Sequence, residues 1–421
     1  MAIDLSHLTF TDQNDIVPQS GVEQIVNTGI ANTLAGHDEI TGTGGDSIGI
    51  VNLDWSFFYT DDGDDIITGT GTGGIFLGYG SDFGTGKGND RIIGMGLDNY
   101  GIVTLDFARF NTDDGDDTIE GFGFEIGIIN SIASTIDTGK GNDLIHATAG
   151  LIGIRNHGTI NTGSGEDSIT ITNINPLANY LALYNYGIID TGDDDDVIRS
   201  TGVIENAGVI NTGNGENEIL FQGKGKLINR GEVLLGDGDD FLTIEFTDLP
   251  ELALENFGDL ETGDGNDIIF SSGAIYNEGF IKTGNGNDKI IVDGGVNGTG
   301  TGYGIYNNGS RIETGDGNDT IIAYDGFKSA PNSSGAWFLG EGDDYILGYG
   351  SGDFYGGNGN DTLELTPGTY TVGIWGEGWD TSAIFTKDNQ LMITSEFETL
   401  KAGSTIYDFT SLTAGQIIVV A

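Results

Sequence analysis

A glycine-rich octapeptide that ends in an acid and an aliphatic residue recurs along the chain. Clear copies read TGKGNDRI at 85–92, TGKGNDLI at 138–145, TGDGNDII at 262–269, TGNGNDKI at 283–290 and TGDGNDTI at 314–321. Glycine permits backbone conformations closed to other residues, so the carbonyl oxygens of such a loop can converge on one point. The aspartate adds a charged oxygen. Oxygen ligands without His or Cys select a hard cation, and this mixture at a flexible turn suits Ca²⁺ better than Mg²⁺.

The acids and glycines of these loops are the candidate metal ligands. One loop offers too few oxygens for the about six to eight ligands that Ca²⁺ takes, whereas two loops on neighbouring repeats offer enough. We therefore predict multiple Ca²⁺ ions in one row between successive coils. The predicted acids are Asp65, Asp90, Asp117, Asp143, Asp167, Asp196, Asp240, Asp267, Asp288, Asp319, Asp344 and Asp361. The predicted glycines are Gly86, Gly88, Gly139, Gly141, Gly263, Gly265, Gly284, Gly286, Gly315, Gly317, Gly357 and Gly359.

The loops set a period from which the fold follows. Aligned on their acid, 14 copies run from Asp38 to Asp361, with about 25 residues per repeat and intervals of 17 to 31 residues. Between loops, apolar residues alternate with polar ones and are rich in Ile, Val and Thr, which predicts short strands. A fixed loop with variable spacing is typical of a solenoid. We predict an all-β, right-handed parallel β-solenoid of about 14 coils of about 25 residues.

A second corner has its own signature. Asn-x-Gly lies six residues before the glycine loop at Asn27, Asn156, Asn185, Asn206, Asn229, Asn256 and Asn277. Asn and Gly tolerate positive φ, so a simple turn explains the pattern. Stacked at one position in successive coils, the amides can also form a hydrogen-bonded ladder. Both interpretations stay open from the sequence.

Composition excludes several classes of protein. The chain has 421 residues, no Cys, 15 Lys and Arg against 65 Asp and Glu, and a formal charge of −50. This charge opposes binding to nucleic acid or to anionic membranes, and 37% hydrophobic residues oppose disorder. There is no apolar run long enough for a membrane span. Stacked carboxylates would repel one another, so bound cations must neutralise them, and we expect the calcium-free chain to be partly unfolded.

The motif GxGxDx[IL] resembles the nonapeptide repeat of haemolysin-type (RTX) calcium-binding proteins, GGxGxDxUx. The best match is GGNGNDTL at 356–363, and the resemblance covers about residues 33–363. It implies a parallel β-roll with an ion between successive loops, held by loop carbonyls and the aspartate. Here one loop occurs per longer coil instead of two per short coil, so a single ion row is expected. Loops that depart from the motif, at Leu34, Asp61, Asp113, Asp194 and Asn217, are expected to be weaker; the sites near Asn217 and in the first coil are expected to be weak or empty.

We predict three regions: an N-terminal cap at 1–32, calcium-binding β-solenoid repeats at 33–366, and a C-terminal β cap at 367–421. The last segment resembles the C-terminal regions of secreted RTX-type proteins, which implies type I secretion and an extracellular or cell-surface location. Its final residues, QIIVVA at 416–421, are interpreted as the last core strand of the cap or as a strand that docks on the next molecule. A bulge out of the stack is expected between Asp288 and Asp319, where the interval is longest.

The predicted function is that of a secreted calcium-binding structural protein that folds with calcium and self-assembles into a surface layer, sheath or filament. Its partners would be calcium ions and further copies of the chain, as a homo-polymer or by lateral assembly. The alternative is an extracellular adhesin that binds a cell-surface polysaccharide, motivated by aromatic residues in the variable segments. Most of those residues are expected in the core; they are Trp55, Phe57, Phe58, Trp337 and Phe338. A polysaccharide-active enzyme ranks below both, because no HExxH, GxSxG or basic cluster is found.

Overall fold

The chain divides into two compact units in the computed structural model. Unit 1 comprises Met1–Lys224 and unit 2 comprises Gly225–Ala421. The structure describes residues 2–18, 23–175, 181–223, 225–246, 252–294, 302–330, 335–376 and 382–421. The bulge expected between Asp288 and Asp319 falls partly on 295–301, outside the described residues.

Each unit is a right-handed parallel β-solenoid, and together the units contain about 13 turns, as the repeat predicted. Almost every coil of the repeat region contributes one short strand to each of three sheets, and the coil that begins at Tyr345 has none in the second of them. We name them by their place in the coil: the post-loop sheet follows the glycine loop, the asparagine sheet comes next, and the pre-loop sheet leads into the next glycine loop. None of the described residues forms an α-helix or a helix able to cross a membrane.

In unit 1 all three sheets are parallel. The asparagine sheet contains Ala2–Asp4, Gln24–Asn27, Ile50–Asn52, Ile75–Leu77, Tyr100–Thr104, Ile126–Asn130, Ile152–Asn156, Leu181–Asn185 and Val203–Asn206. The pre-loop sheet contains Ile30–Asn32, Phe57–Tyr59, Asp82–Gly84, Arg109–Asn111, Thr135–Asp137, Thr159–Asn161, Ile188–Asp190 and Val209–Asn211. The post-loop sheet contains Ile16–Val17, Glu39–Thr43, Ile66–Gly71, Arg91–Gly96, Thr118–Gly123, Leu144–Ala149, Ser168–Asn173, Val197–Ser200 and Glu218–Gly223. A 3₁₀ turn spans Leu5–His7.

Unit 2 repeats this arrangement and then closes it. Its asparagine sheet contains Leu227–Asn229, Leu252–Asn256, Ala274–Asn277, Ile305–Asn307 and Phe327–Ser329. Its pre-loop sheet contains Glu232–Leu234, Asp259–Glu261, Phe280–Asn285, Arg311–Asp316, Ala336–Glu341 and Gly352–Asn358. Its post-loop sheet contains Phe241–Phe246, Ile268–Ser271, Lys289–Val292, Thr320–Ala323, Tyr345–Leu347, Thr362–Leu365 and Thr399–Ala402.

The C-terminal strands change direction. Gln390–Ser395 still pairs in parallel with Gly352–Asn358, but Ser382–Lys387, Gly368–Trp375 and Ile417–Val420 follow as antiparallel neighbours. Thr405–Asp408 pairs antiparallel with Thr399–Ala402, and a 3₁₀ turn spans Phe409–Ser411. Parallel pairing therefore extends beyond 366, and in unit 1 it includes strands before 33. The three-region division stays a prediction.

The core is a set of stacked aliphatic columns. The apolar residue two places after each loop acid, such as Ile92, Ile145 and Ile290, is completely buried, and its neighbours in successive coils are in register. Larger rings fill the pre-loop columns locally: Phe83 packs edge-on at 4.9–5.0 Å from Phe58 and Phe110. Register is thus fixed by the alternation of buried and exposed residues, because a one-residue slip would expose the whole set.

The Asn-x-Gly corner is a hydrogen-bonded ladder. Asn156 donates through Nδ2 to Asn185 Oδ1 at 2.8 Å and to the carbonyl of Ile188 at 2.9 Å. The same side-chain bond joins other buried asparagines of successive coils, at 2.8–3.0 Å: Asn27 to Asn52, Asn130 to Asn156, Asn185 to Asn206, Asn229 to Asn256, Asn256 to Asn277 and Asn277 to Asn307. Of the two interpretations left open above, the structure shows the ladder.

Candidate metal centre

The glycine loops form a corner whose backbone is closed to most residues. All of the predicted ligand glycines have positive φ, for example +84° at Gly86 and +143° at Gly88. Successive loops also stack too closely for a side chain: a Cβ at Gly88 would lie 1.7 Å from the carbonyl oxygen of Gly63. Both facts explain why glycine recurs at these two positions.

Four loops place another residue in this conformation. Leu34, Asp61 and Asp113 stand at the first glycine position with φ of 67°, 59° and 63°, and Asp194 stands at the second with φ of 87°. The left-handed region costs a non-glycine residue about 1 kcal/mol. The loops that depart from the motif therefore keep its backbone and carry local strain.

Every predicted ligand aspartate is buried, with at most 2% of its surface exposed. The alternative that these acids are solvated turn residues is therefore wrong. All of these carboxylates apart from Asp240 accept, through Oδ1, a hydrogen bond from the backbone N–H of the aspartate one coil earlier; Asp117 N–H donates to Asp143 Oδ1 at 2.7 Å, and Asp288 N–H to Asp319 Oδ1 at 2.8 Å. We call this stack the aspartate column.

The aspartate column is longer than the motif indicated. In unit 1 it begins at Asp15, whose N–H donates to Asp38 Oδ1, and reaches Asn217. In unit 2 it runs from Asp240 and ends where Asp361 N–H donates to Glu398 Oε2 at 2.8 Å. The motif search missed Asp15 and Glu398 because neither is preceded by glycines, although each is followed by an apolar strand residue in register.

The second carboxylate oxygen, Oδ2, lacks a hydrogen-bond partner at most rungs of the column. Oδ2 is buried and has no hydrogen-bond partner among the described residues in Asp65, Asp90, Asp117, Asp143, Asp167, Asp196, Asp288, Asp319, Asp344 and Asp361. The threonine five residues earlier cannot serve every rung. In Thr138, for example, the hydroxyl donates to the carbonyl of Thr162 in the next coil, at 3.0 Å. In Asp267 the hydroxyl of Thr262 does reach Oδ2, at 2.6 Å.

One coil shows what stands opposite that oxygen. In Asn217, Oδ1 accepts from Asp196 N–H as an aspartate would, and Nδ2 donates to the carbonyls of Gly213 and Gly215 at 3.2 and 3.3 Å. The second terminal atom at this position therefore faces both glycine carbonyls of its own loop. An aspartate places its Oδ2 where Asn217 has Nδ2. The carboxylate oxygen and the glycine carbonyl oxygens then face one another, with no N–H group to join them.

Burial changes the acidity of the column. It raises the pKa of Asp65, Asp117, Asp167, Asp196 and Asp344 to about 7, and that of Asp90, Asp143, Asp267, Asp319 and Asp361 to about 6. Neighbouring carboxylates add to this rise in the pKa of Asp117, whereas the backbone N–H of Asp90 and the hydroxyl of Thr112 oppose it. Loss of water around a charge is the dominant cause, and it must be offset by a proton or by a cation.

The donor set fits a hard cation. Only oxygen atoms converge at each rung: a carboxylate and glycine carbonyls. No group of three or more His, Cys, Asp or Glu side chains converges among the described residues, so an ion here would rely on backbone carbonyls for much of its coordination. Such a mixture of carbonyls with few carboxylates is within the range that Ca²⁺ accepts.

A second, exposed column was not anticipated from the sequence. In most coils the residue before the column aspartate accepts, through its side chain, the N–H of its counterpart one coil later; Asp116 N–H donates to Asn89 Oδ1 at 3.0 Å, and Asn287 N–H to Asn266 Oδ1 at 3.0 Å. These bonds run in the opposite direction to those of the aspartate column. The signal was present as the Asn, Asp or Glu that precedes nearly every loop aspartate.

Comparisons with known proteins do not assign the chain to a family. No protein-family model matches the chain, and no curated protein matches it. Among solved structures, the chain is similar to a hyperactive, Ca²⁺-dependent, β-helical antifreeze protein from an Antarctic bacterium, with 21% identity, 82% of each chain covered and a TM-score of 0.40. The calcium dependence in that description belongs to that protein. The resemblance to the RTX repeat stays a prediction.

Proposed function

We propose that this chain is an extracellular calcium-binding structural protein whose aspartate columns hold Ca²⁺ in one row between successive coils. The observation that supports it is the buried, unpartnered Oδ2 of ten column aspartates, set where Asn217 shows two glycine carbonyls. The ligands would be the loop aspartates and glycines named above, and the site at Asn217 would hold no ion, because its amide already donates to both carbonyls.

Calcium binding would be part of folding. A rung exists only when two coils are stacked, so the free energy of ion binding is also free energy of folding. The calcium concentration outside cells, which fills weak sites, agrees with an extracellular location. Secretion by the type I route remains a proposal from the C-terminal resemblance.

Self-assembly is the finer part of the proposal. The strand Ile417–Val420 closes its own cap, because it pairs with Gly368–Trp375 and buries Ile418 and Val420. Its outward residues Ile417 and Val419 are 56% and 66% exposed. Uncharged, β-branched residues exposed on a terminal strand favour association with a further copy.

The experiment is circular dichroism and thermal unfolding of the full chain at neutral pH, in millimolar Ca²⁺, in Mg²⁺ and after EGTA. We expect the β signal and Tm to fall steeply in EGTA, to recover with Ca²⁺ and not with Mg²⁺. An unchanged spectrum and Tm after chelation would overturn calcium binding as the function of the column. Electron microscopy of the calcium-loaded chain tests assembly separately, and isolated particles at high concentration would count against it.

A further inference from the structure

Four successive corners of unit 1 are two residues longer than the Asn-x-Gly corners that follow them, such as NHG at 156–158. Between the asparagine and pre-loop sheets they read NLDWS at 52–56, LGYGS at 77–81, TLDFA at 104–108 and NSIAS at 130–134, and the first three each carry an aromatic residue. Trp55 and Phe107 adopt φ of 58° and 62° in these longer corners. The left-handed region is unusual for bulky residues, and Gly80 and Ala133 adopt it at the same position, with φ of 61° and 57°, so this conformation is a feature of the longer corner.

Burial does not explain the aromatic residues at these corners. Trp55, Tyr79 and Phe107 are 66%, 39% and 54% exposed. The ring of Tyr79 lies between the other two, with centroids 5.4 Å from each and edge-on contacts. The ring of Trp55 lies over Gly80, where a Cβ would come within 2.8 Å of it. The three rings thus form a fixed, exposed row that contributes little to the core.

The same three coils carry a notch on the adjacent pre-loop sheet. Tyr59, Gly84 and Asn111 are in register across three strands, so Gly84 leaves a gap between two side chains. The gap is a cavity of about 200 Å³ with Gly84 and Gly86 in its lining. Further lining residues are Asp61, Asp82, Arg109 and Asp113.

The polar groups of the notch are arranged as neutral and charged hydrogen-bonding partners. Burial, and then the neighbouring Asp82 carboxylate, raise the pKa of Tyr59 to about 12, so its hydroxyl remains a neutral donor. Arg109 is exposed, and among the described residues no carboxylate forms an ion pair with it, so its guanidinium donors are available to a ligand. Asp82 and Arg109 are in register on neighbouring strands.

We propose that this face of unit 1, the row of corner rings together with the notch, binds a neutral polysaccharide. Aromatic rings pack against the C–H faces of sugar rings, while carboxylate, guanidinium and amide groups satisfy pairs of hydroxyls. The repeat of the coils offers similar contacts to successive sugar units. The surrounding acids, with a chain charge of −50, oppose uronic-acid and sulfated polymers, nucleic acids and anionic lipid surfaces. This inference deepens the adhesin alternative and does not depend on which ion the aspartate column holds.

The test is a panel of oligosaccharides built from neutral sugars, amino sugars and uronic acids, applied to the full chain in millimolar Ca²⁺, followed by fluorescence titration of the best binder. We expect binding to neutral oligosaccharides of several units. Trp55→Gly, Tyr79→Ala and Gly84→Asn should each weaken it about tenfold. The first variant suits the left-handed backbone, so its Tm should be at least that of the parent.

Phe280→Ala is the matched control. Phe280 lies on the pre-loop sheet of unit 2 and is 53% exposed, but it stands far in sequence from the three coils. Its replacement should leave the affinity unchanged. No binding to any neutral oligosaccharide, a preference for uronic acids, or equal losses in Phe280→Ala and Trp55→Gly would overturn the proposal. Retained binding by a chain that resists EGTA would instead overturn only calcium binding.

Discussion

The two corners of each coil solve the same packing problem with different chemistry. At the asparagine corner, each buried amide accepts one side-chain hydrogen bond and donates others, so Asn156 and Asn185 satisfy each other without help. At the glycine corner, a buried carboxylate such as that of Asp143 accepts one N–H bond and leaves Oδ2 without a donor. An amide ladder is complete within the protein, whereas a carboxylate ladder is complete only with a proton or a cation.

Asn217 is an internal control for this difference, because it places the amide chemistry in the carboxylate column. Its backbone and Oδ1 bonds are those of an aspartate rung, and its Nδ2 closes the rung by donating to Gly213 and Gly215. The glycine corner is therefore compatible with either solution. The chain uses aspartate at most rungs, so the stability of this corner depends on pH and on the concentration of a cation.

The largest expected effect is a reversal of the ordinary pH dependence when calcium is removed. The folded-state pKa of the column aspartates is raised to about 6 or 7, so their contribution to stability is fully present below the unfolded pKa of 3.8 and is lost as the pH rises through about 7. In EGTA, we expect Tm at pH 5.5 to exceed Tm at pH 8 by at least about 10 °C. Scanning calorimetry measures this, and calcium should remove the difference. Equal Tm values at pH 5.5 and pH 8 in EGTA would show that folding does not raise the pKa of these carboxylates.

The second-largest effect is expected when a carboxylate replaces an amide at the asparagine corner. Asn156→Asp removes the donors to Asn185 Oδ1 and the Ile188 carbonyl and buries a charge with no glycine carbonyls to hold a cation. Breaking a buried polar pair in this way costs about 3–5 kcal/mol, and we expect the loss with and without calcium. Urea unfolding checks it. Asn142→Asp is the control, since Asn142 is exposed and an aspartate can still accept the N–H of Glu166. If calcium restored the stability of Asn156→Asp, the two corners would not differ in their ability to hold a cation.

The reciprocal change replaces one column aspartate by asparagine, the residue that the chain has at position 217. Asp143→Asn keeps the acceptor for Asp117 N–H and brings an amide to the glycine carbonyls of its loop. In EGTA at pH 8 we expect a gain of about 1–2 kcal/mol in the free energy of unfolding, because an unpaired buried charge disappears. Titration calorimetry should show a lower calcium stoichiometry. Destabilisation in EGTA, with unchanged stoichiometry, would argue that Oδ2 has a partner and binds no ion.

The smallest effect concerns backbone strain at the two corners. Asp113→Gly at the glycine corner and Ala133→Gly at the asparagine corner replace residues with φ of 63° and 57°. Each should stabilise the fold by about 0.5–1 kcal/mol, because glycine adopts this region without strain. Thermal unfolding in saturating calcium provides the comparison. A loss at either position would mean that its side-chain contacts outweigh the strain.

Much of the architecture could be predicted from local pattern. The period-two alternation placed Ile92, Ile145 and Ile290 in the core, and the loop period gave the parallel solenoid. The asparagine ladder was one of two open interpretations, because a turn and a ladder require the same residues. Asp15 and Glu398 could not be found, since their loops lack glycine and only their register reveals them.

The exposed residues were harder to assign. Of the aromatic residues expected mainly in the core, Phe58 and Trp337 are buried, but Trp55 is 66% exposed. Alternation cannot decide this case, because Trp55 lies in a corner, where neither strand nor helix periodicity applies. The metal ligands stay a prediction with a specific geometric basis: at most rungs one buried carboxylate oxygen has no hydrogen-bond donor, and Asn217 shows glycine carbonyls facing that position.

The sequence by itself determined the repeat, the strands, the positions where only glycine fits and the acids that recur beside them, because each of these depends on residues close along the chain. The tertiary structure alone decided that the acids are buried, that their N–H and carboxylate groups connect across coils, and that the rings of Trp55, Tyr79 and Phe107 contact one another. These features join residues about 25 positions apart, and only the stacking of coils brings them together.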